Sequence, residues 1–236
     1  MTLCDREWLS DMNDVALLAQ VPLFASAKSE DLAELACRMS QRTYRRGEGI
    51  FRQGDPGSTL FIIQSGQVKI SASSAEGEEA VFAILSEKDF FGELSLFDGK
   101  PRSASAVALA ITRTLLLYRD DFVEVISKCP ELAMNVLSAL STRMRRADLL
   151  VEDAVFLDLP TRLAKRLLEL GECHGLRTER GLEIELCLTQ QDLADVVGVS
   201  RVAVNKQLSV YQDGGIIHLS RQRITLLRPE QLRNYL

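Results

Sequence analysis

The spacing of apolar positions changes twice along the chain. Between Asp14 and Ser40, Leu17, Leu18 and Val21, then Leu32, Leu35, Ala36 and Met39, follow helical spacing, which predicts amphipathic helices. Pro22 interrupts them, and Ser29 followed by Glu30 and Asp31 marks a fresh helix start. From Tyr44 the period shortens. In YRRGEGIFRQGDPGSTLFIIQSGQVKIS, short apolar pieces are cut by Gly47, Gly49, Gly54, Gly57 and Gly66, and AVFAILS and residues 106–118 continue the pattern. Short strands divided by glycine turns predict a β-sandwich or jelly roll that closes near Arg119.

Helical spacing returns at Asp120 and holds to Phe156, with Pro130 dividing a short helix from a long one. Ala133, Leu137, Leu140, Met144, Ala147, Val151 and Ala154 alternate three and four residues apart. This is a heptad seam, flanked by Arg143, Arg145, Arg146, Asp148 and Glu152. It fits either a helix packed on its own domain or a parallel dimer helix. A boundary follows at 157–160, where Pro160 suits the first turn of a new helix whose apolar side is Leu163, Leu167, Leu168 and Leu170.

LTQQDLADVVGVSRVAVNKQLSVYQDGGII carries the most specific pattern. Thr189 is placed to cap a helix, with Asp192 returning the hydrogen bond, and Leu193, Ala194 and Val197 face inward. Gly198 supplies a tight turn, Ser200 caps a second helix, and Val204, Leu208 and Tyr211 form its buried stripe. Two short helices joined by a glycine turn are a helix-turn-helix. Its second helix exposes Arg201, Val202, Asn205, Lys206 and Ser209. Arginine's parallel donors fit guanine O6 and N7, while Lys206 and Asn205 suit either a base or a phosphate. Gln190 and Gln191 are candidates for fixing the phosphate backbone. IIHLSRQRITLLR then reads as a β-hairpin wing with Arg221 and Arg223 near its tip. The fold class is therefore α+β. Residues 1–119 are read as a jelly-roll domain with N-terminal helices, 120–157 as the candidate dimerisation helix, and 158–236 as a winged helix-turn-helix.

Composition narrows the chemistry. The chain has 236 residues, 46% of them hydrophobic, which is ample for packed cores. Its apolar runs are far shorter than the roughly 20 residues of a membrane helix, and the acidic start MTLCDREWLSDMND has no secretory pattern. Five scattered cysteines without a CxxC pair indicate neither a disulfide framework nor a zinc or iron–sulfur site, and a reduced, cytoplasmic protein is expected. A net charge of −5 disfavours nonspecific nucleic-acid binding by the whole chain but leaves room for one basic face. A jelly-roll enzyme of the cupin type needs a histidine-rich cluster, yet both histidines, His174 and His218, fall in the C-terminal domain. No catalytic residue is expected. A channel or kinase module would need a membrane span or kinase motif, and the sequence has neither.

Taken in order, Arg46-Gly47-Glu48, Ile50-Phe51, Gly54-Asp55, Gly66, FGELSLFDGKPRSA, FLDLPTRLAKRLL and LTQQDLADVVGVSR resemble the CRP/FNR family of bacterial transcription regulators. The likeness runs from VPLFASAKSEDLAELA through the wing. It implies a homodimer on palindromic double-stranded DNA, with RNA polymerase as a further partner. In cyclic-nucleotide-binding members, FGELSLF…PRSA is the phosphate-binding cassette. Carried over, Gly92, Glu93, Leu94, Arg102, Ser103 and Ala104 form the effector site. Arg102 pairs with the cyclic phosphate, Ser103 adds a hydroxyl and a backbone donor, and Glu93 accepts a ribose hydroxyl. In the alternative, Glu93 and Arg102 pair with each other, and the protein binds DNA without a small molecule or with a non-nucleotide one. Leu137, Leu140, Met144, Ala147, Val151 and Ala154 become the dimer seam.

The chain also departs from the family pattern. The pair that contacts adenine in cyclic-AMP-binding relatives falls on Ala147-Asp148. A carboxylate complements the N1/N2 donors of guanine better than adenine N1, so cyclic GMP joins cyclic AMP as a possible effector, unless Asp148 points to solvent. An iron–sulfur sensor needs clustered cysteines, and only Cys4 lies near the N-terminus. A haem sensor needs a histidine in or after the roll. Neither cofactor is expected, none is obligatory, and no metal site is expected. Relatives with Arg-Glu-x-x-x-Arg on the recognition helix differ from Arg201-Val202-Ala203-Val204-Asn205-Lys206. Val202 suits a thymine methyl rather than a cytosine amine, so the operator should differ from the best-known family palindrome.

Overall fold

The computed structural model describes residues 13–129, 131–184, 188–220 and 223–236. Its contacts divide the chain into two compact units, one running to Ala72 and resuming over Ala83–Arg146, the other made of Ser73–Phe82 and Ala147–Leu236.

In the first unit, residues 13–18 are helical (α1), a 3-10 turn covers Pro22–Phe24, and α2 spans Ser29–Arg38. Pro22 thus sits where helical spacing breaks. Eight strands follow: β1 (Ser40–Tyr44), β2 (Gly49–Phe51), β3 (Thr59–Ser65), β4 (Val68–Ser73), β5 (Glu79–Leu85), β6 (Phe90–Phe91), β7 (Ser105–Ala108) and β8 (Thr112–Tyr118), with a short α3 (Glu93–Asp98) after β6. They form two antiparallel four-stranded sheets, ordered β1-β8-β3-β6 and β2-β7-β4-β5, the two walls of a jelly roll.

The run Leu60–Ile63 explains how the roll is held. All four side chains are buried, because both faces of β3 are covered. Alternation sends Phe61 and Ile63 between the sheets, against Val68, Leu85, Phe91, Ala106 and Leu116. Leu60 and Ile62 point the other way, into a helical layer with Leu18, Leu35, Phe122, Val125, Leu132 and Val136. A strand covered on both sides reads as a continuous apolar run, not an alternating one.

Helix α4 (Arg119–Lys128) and the long α5 (Glu131–Phe156) flank Pro130. The first turns of α5 already belong to the roll's helical layer through Leu132 and Val136. The interval 120–157 therefore contains two helices, and the compact-unit boundary falls inside α5.

In the second unit, α6 (Leu159–His174) is capped by Asp158, whose side chain accepts from the Thr161 amide, with Pro160 in the first turn. Helix α7 (Gln190–Val197) starts with the expected capping box between Thr189 and Asp192, ends at left-handed Gly198, and is followed by α8 (Arg201–Asp213) capped by Ser200. Val204, Leu208 and Tyr211 are buried, and the Tyr211 hydroxyl donates to the Pro160 carbonyl at 2.6 Å. The wing is wider than the sequence suggests. Besides β11 (Ile217–Ser220) and β12 (Arg223–Leu226), a hairpin of β9 (Gly175–Thr178) and β10 (Gly181–Ile184) completes a sheet ordered β11-β12-β10-β9. Leu182-Glu183-Ile184 alternates apolar with polar residues, so the sequence does carry a strand signal here, but nothing local to it says that the strand pairs with β12. A short α9 (Pro229–Arg233) follows β12. Asp153, buried near the end of α5, accepts from Lys165 at 2.6 Å and Arg166 at 3.2 Å, tying that end to α6. Among the described residues, no helix is long and apolar enough to cross a membrane.

Candidate functional site

In the first unit, the loop after α3 returns Arg102 into the roll. Its backbone is clamped on both sides: the Arg102 amide donates to the Asp55 carbonyl and the Gly54 amide to the Arg102 carbonyl, each at 2.8 Å. The side chain is only 6% exposed. Nη1 donates to the Gly92 carbonyl at 2.7 Å and Nη2 to the Thr59 carbonyl at 2.9 Å. The guanidinium lies over the Phe51 ring, 4.3 Å from its centroid. Nε is buried without a hydrogen-bond partner, and among the described residues no carboxylate reaches ion-pair distance. Burial pushes the guanidinium below its ordinary value, opposed by the more distant charges of Glu93 and Asp55. A buried cation held by carbonyls and aromatic faces, with no anion against it, is costly, and that cost falls when an anion arrives.

Two glycines make room for it. A Cβ on Gly57 would stand 2.2 Å from Arg102 Nε, and one on Gly92 would stand 2.6 Å from Nη1. Gly92 also has φ +80, a conformation side chains rarely adopt. From sequence Gly57 reads only as a turn residue, and Thr59, Phe51 and Phe61 only as strand residues, yet together they form the seat of the guanidinium.

Glu93, 4% exposed, does not pair with Arg102. It accepts from Arg143 Nη1 on α5 at 2.5 Å. Arg143 also donates to the Phe90 carbonyl and stacks over the Phe90 ring at 4.2 Å. From sequence Arg143 is one flanking charge beside the seam; its i, i+4 relation to Ala147 is the only clue that it shares a helix face with a predicted effector residue. Ser103 and Leu94 are exposed, and Ala104 is buried. Ala147 and Asp148 are exposed on α5 in the second unit.

Helix α5 presents two apolar faces. Leu132 and Val136 are buried in the roll's helical layer, and Leu140 packs at its margin. Leu137, Met144 and Val151 are exposed in the chain, at 56%, 69% and 64%, and Ala147 and Ala154 are exposed with them.

In the second unit, the outer side of α8 exposes Arg201, Lys206 and Val202, the last at 79%. Gln190, on the first turn of α7, accepts through Oε1 from Arg201 Nη2 at 3.4 Å and from Asn205 Nδ2 at 3.1 Å. Gln191 Nε2 donates to Asp195 at 2.7 Å, and Ser200 Oγ accepts from the Ala203 amide. In the wing, Arg223 pairs with Glu183 at 2.5 Å. Arg221 lies outside the described residues. Among the described residues, no group of three or more His, Cys, Asp or Glu side chains is arranged to hold a metal ion.

Residues 41–129 match the cyclic nucleotide-binding domain family, and residues 161–235 match the Crp-like helix-turn-helix domain family. The chain is 34% identical to the CRP-like cAMP-activated global transcriptional regulator of Mycobacterium tuberculosis over 216 residues, which are 92% of this chain and 96% of that protein. It is 33% identical over 198 residues to the cyclic AMP receptor protein of Thermus thermophilus, covering 84% of this chain and 88% of that one. The fold superposes on FixK2 from Bradyrhizobium japonicum with a TM-score of 0.75 at 21% identity, over 84% of this chain and 96% of that one.

Proposed function

The chain belongs to the CRP/FNR family of DNA-binding transcription regulators, and on that footing we propose that it acts as a homodimer whose hold on palindromic double-stranded DNA is set by a cyclic nucleotide in the jelly roll. The observation that carries this reading is the buried Arg102 guanidinium, whose Nε has no hydrogen-bond partner and which, among the described residues, has no counter-anion. A cyclic phosphate supplies the missing charge in a geometry that guanidinium donors suit. Ser103 adds a hydroxyl, and the Gly92 backbone lets the sugar approach. Glu93 accepts the ribose hydroxyl and carries the event to α5, because Arg143 holds the same carboxylate. Nucleotide binding that strengthens or reshapes this pair biases α5 between arrangements that do and do not suit DNA. Cyclic AMP, the activator named for the M. tuberculosis relative, is the first candidate.

A second copy of the chain covers the exposed Leu137, Met144, Ala147, Val151 and Ala154, with Leu140 at the edge of that seam, pairing α5 in parallel. The two α8 helices then enter successive major grooves about 34 Å apart. Arg201, Val202 and Lys206 face the bases, with Ser200, Gln191 and Arg223 beside the backbone. RNA polymerase is the further partner expected at a promoter.

One observation favours the other reading, a regulator that needs no nucleotide: Glu93 is already satisfied by Arg143 without any ligand. Selection from a randomised palindrome pool, with and without cyclic nucleotides, separates the two. We expect enrichment of a two-fold symmetric site that strengthens when nucleotide is present. Equal enrichment in both arms overturns the gating, and no enrichment in either overturns the DNA reading.

Asp148 is exposed in the single chain, which suits a residue that points to solvent; its carboxylate complements a guanine edge only where it faces the nucleotide. Calorimetric titration with both nucleotides decides between these two placements of Asp148: a cyclic GMP affinity equal to or above that for cyclic AMP sets the carboxylate against the base. Tenfold tighter cyclic AMP binding refutes this.

A further inference from the structure

Gln190 stands on α7 and Arg201 and Asn205 on α8, one turn apart, and a single oxygen joins all three. Gln190 Oε1 accepts from Asn205 Nδ2 at 3.1 Å and from Arg201 Nη2 at 3.4 Å. The chemistry allows only one orientation. A guanidinium has donors and no acceptor, so Gln190 must turn its oxygen, not its amide nitrogen, towards Arg201. That same oxygen then faces Asn205, which must present its NH2. The Asn205 carbonyl oxygen is consequently turned inwards, where it is buried with no hydrogen-bond partner.

We infer that Gln190 and Asn205 are positioning residues that hold the Arg201 guanidinium in its base-reading orientation, and that Asn205 does not itself read a base. This inference rests on the reading of α8 as the recognition helix. A two-point contact with adenine needs both ends of an asparagine amide at one base edge. Here one end is engaged by Gln190 and the other is buried, so that contact is closed to Asn205 while the bracket stands. Arginine has four flexible side-chain torsions, and fixing it before contact reduces the ordering that binding requires. Gln190 differs in this from a phosphate contact, which positions the protein but carries no sequence information.

The two roles predict different responses, measured as base preference across a randomised palindrome pool with saturating cyclic AMP and without nucleotide. Arg201→Ala should erase preference at one base pair of each half-site. Gln190→Ala and Asn205→Ala should each weaken preference at that same base pair by roughly fivefold or more, with little change elsewhere. In the Arg201→Ala background, Gln190→Ala should add no further loss. Gln190→Glu keeps an acceptor for both donors, so it should retain the preference even though its added negative charge lowers overall affinity. Gln190 is exposed and outside the Thr189–Asp192 capping box, so thermal melts of its variants should match the parent. If Arg201→Ala alters no base preference, the recognition-helix reading fails and the bracket with it. If Arg201→Ala does so but Gln190→Ala lowers affinity evenly across all sites, or Gln190→Glu loses preference as fully as Gln190→Ala, the bracket alone is overturned.

Discussion

Arg102→Ala is expected to lower cyclic nucleotide affinity at least about 100-fold while leaving the jelly roll folded. The size follows from what the guanidinium offers. Charge-assisted hydrogen bonds are worth about 1.5–3 kcal/mol each, and loss of one or two removes about 3 kcal/mol, or two decades in Kd. The fold should survive because two effects oppose one another. Truncation strands the Gly92 and Thr59 carbonyls that Arg102 now satisfies. It also removes a cation whose burial is resisted, as the downward pressure on its ionisation shows. The net change should stay within about 2 kcal/mol. Calorimetry with cyclic AMP and cyclic GMP, paired with a thermal melt, reads both quantities. A variant that keeps its full nucleotide response would remove Arg102 from the effector site.

Leu137→Glu should convert the dimer to a folded monomer and reduce affinity for a full palindrome by about 100- to 10,000-fold, the range lost when two linked contacts become one. Leu137 is a better position for this test than its neighbours. It is 56% exposed in the single chain, whereas Leu132 is only 2% exposed and serves the roll's own core. A charge at 137 therefore meets water in the monomer but another apolar helix in the proposed dimer, where an unpaired carboxylate is strongly disfavoured. Light scattering and a DNA titration decide the matter. A variant that remains dimeric shows that the seam lies elsewhere.

Much of the fold was legible because its signals are local and redundant. The Thr189–Asp192 box, the Gly198 turn and the Ser200 cap each satisfy backbone groups within a few residues, so the sequence carries the whole interaction. The glycine-punctuated strands likewise announce the roll. The hairpin at 175–184 is the part that goes unread: Leu182-Glu183-Ile184 alternates, but its place in the sheet comes from pairing with β12, far along the chain, which no local pattern encodes. The candidate sites divide in the same way. A family motif marks Glu93 and Arg102, but motif and spacing leave open whether they pair with each other. The answer depends on Arg143, some fifty positions away, reaching Glu93 from another element. Gly57 shows the same limit. Its role comes from the arginine that packs on it, and no pattern in its own neighbourhood encodes that.

That bare Cα at position 57 has an evolutionary consequence. A single methyl there would collide with the guanidinium, yet the backbone at 57 could carry a side chain without torsional penalty. One codon change could thus dislodge the arginine from its seat and leave the sandwich intact. If the roll senses a nucleotide as proposed, deafness to that messenger is a short mutational step from this scaffold, and it leaves the helix-turn-helix of a descendant regulator untouched.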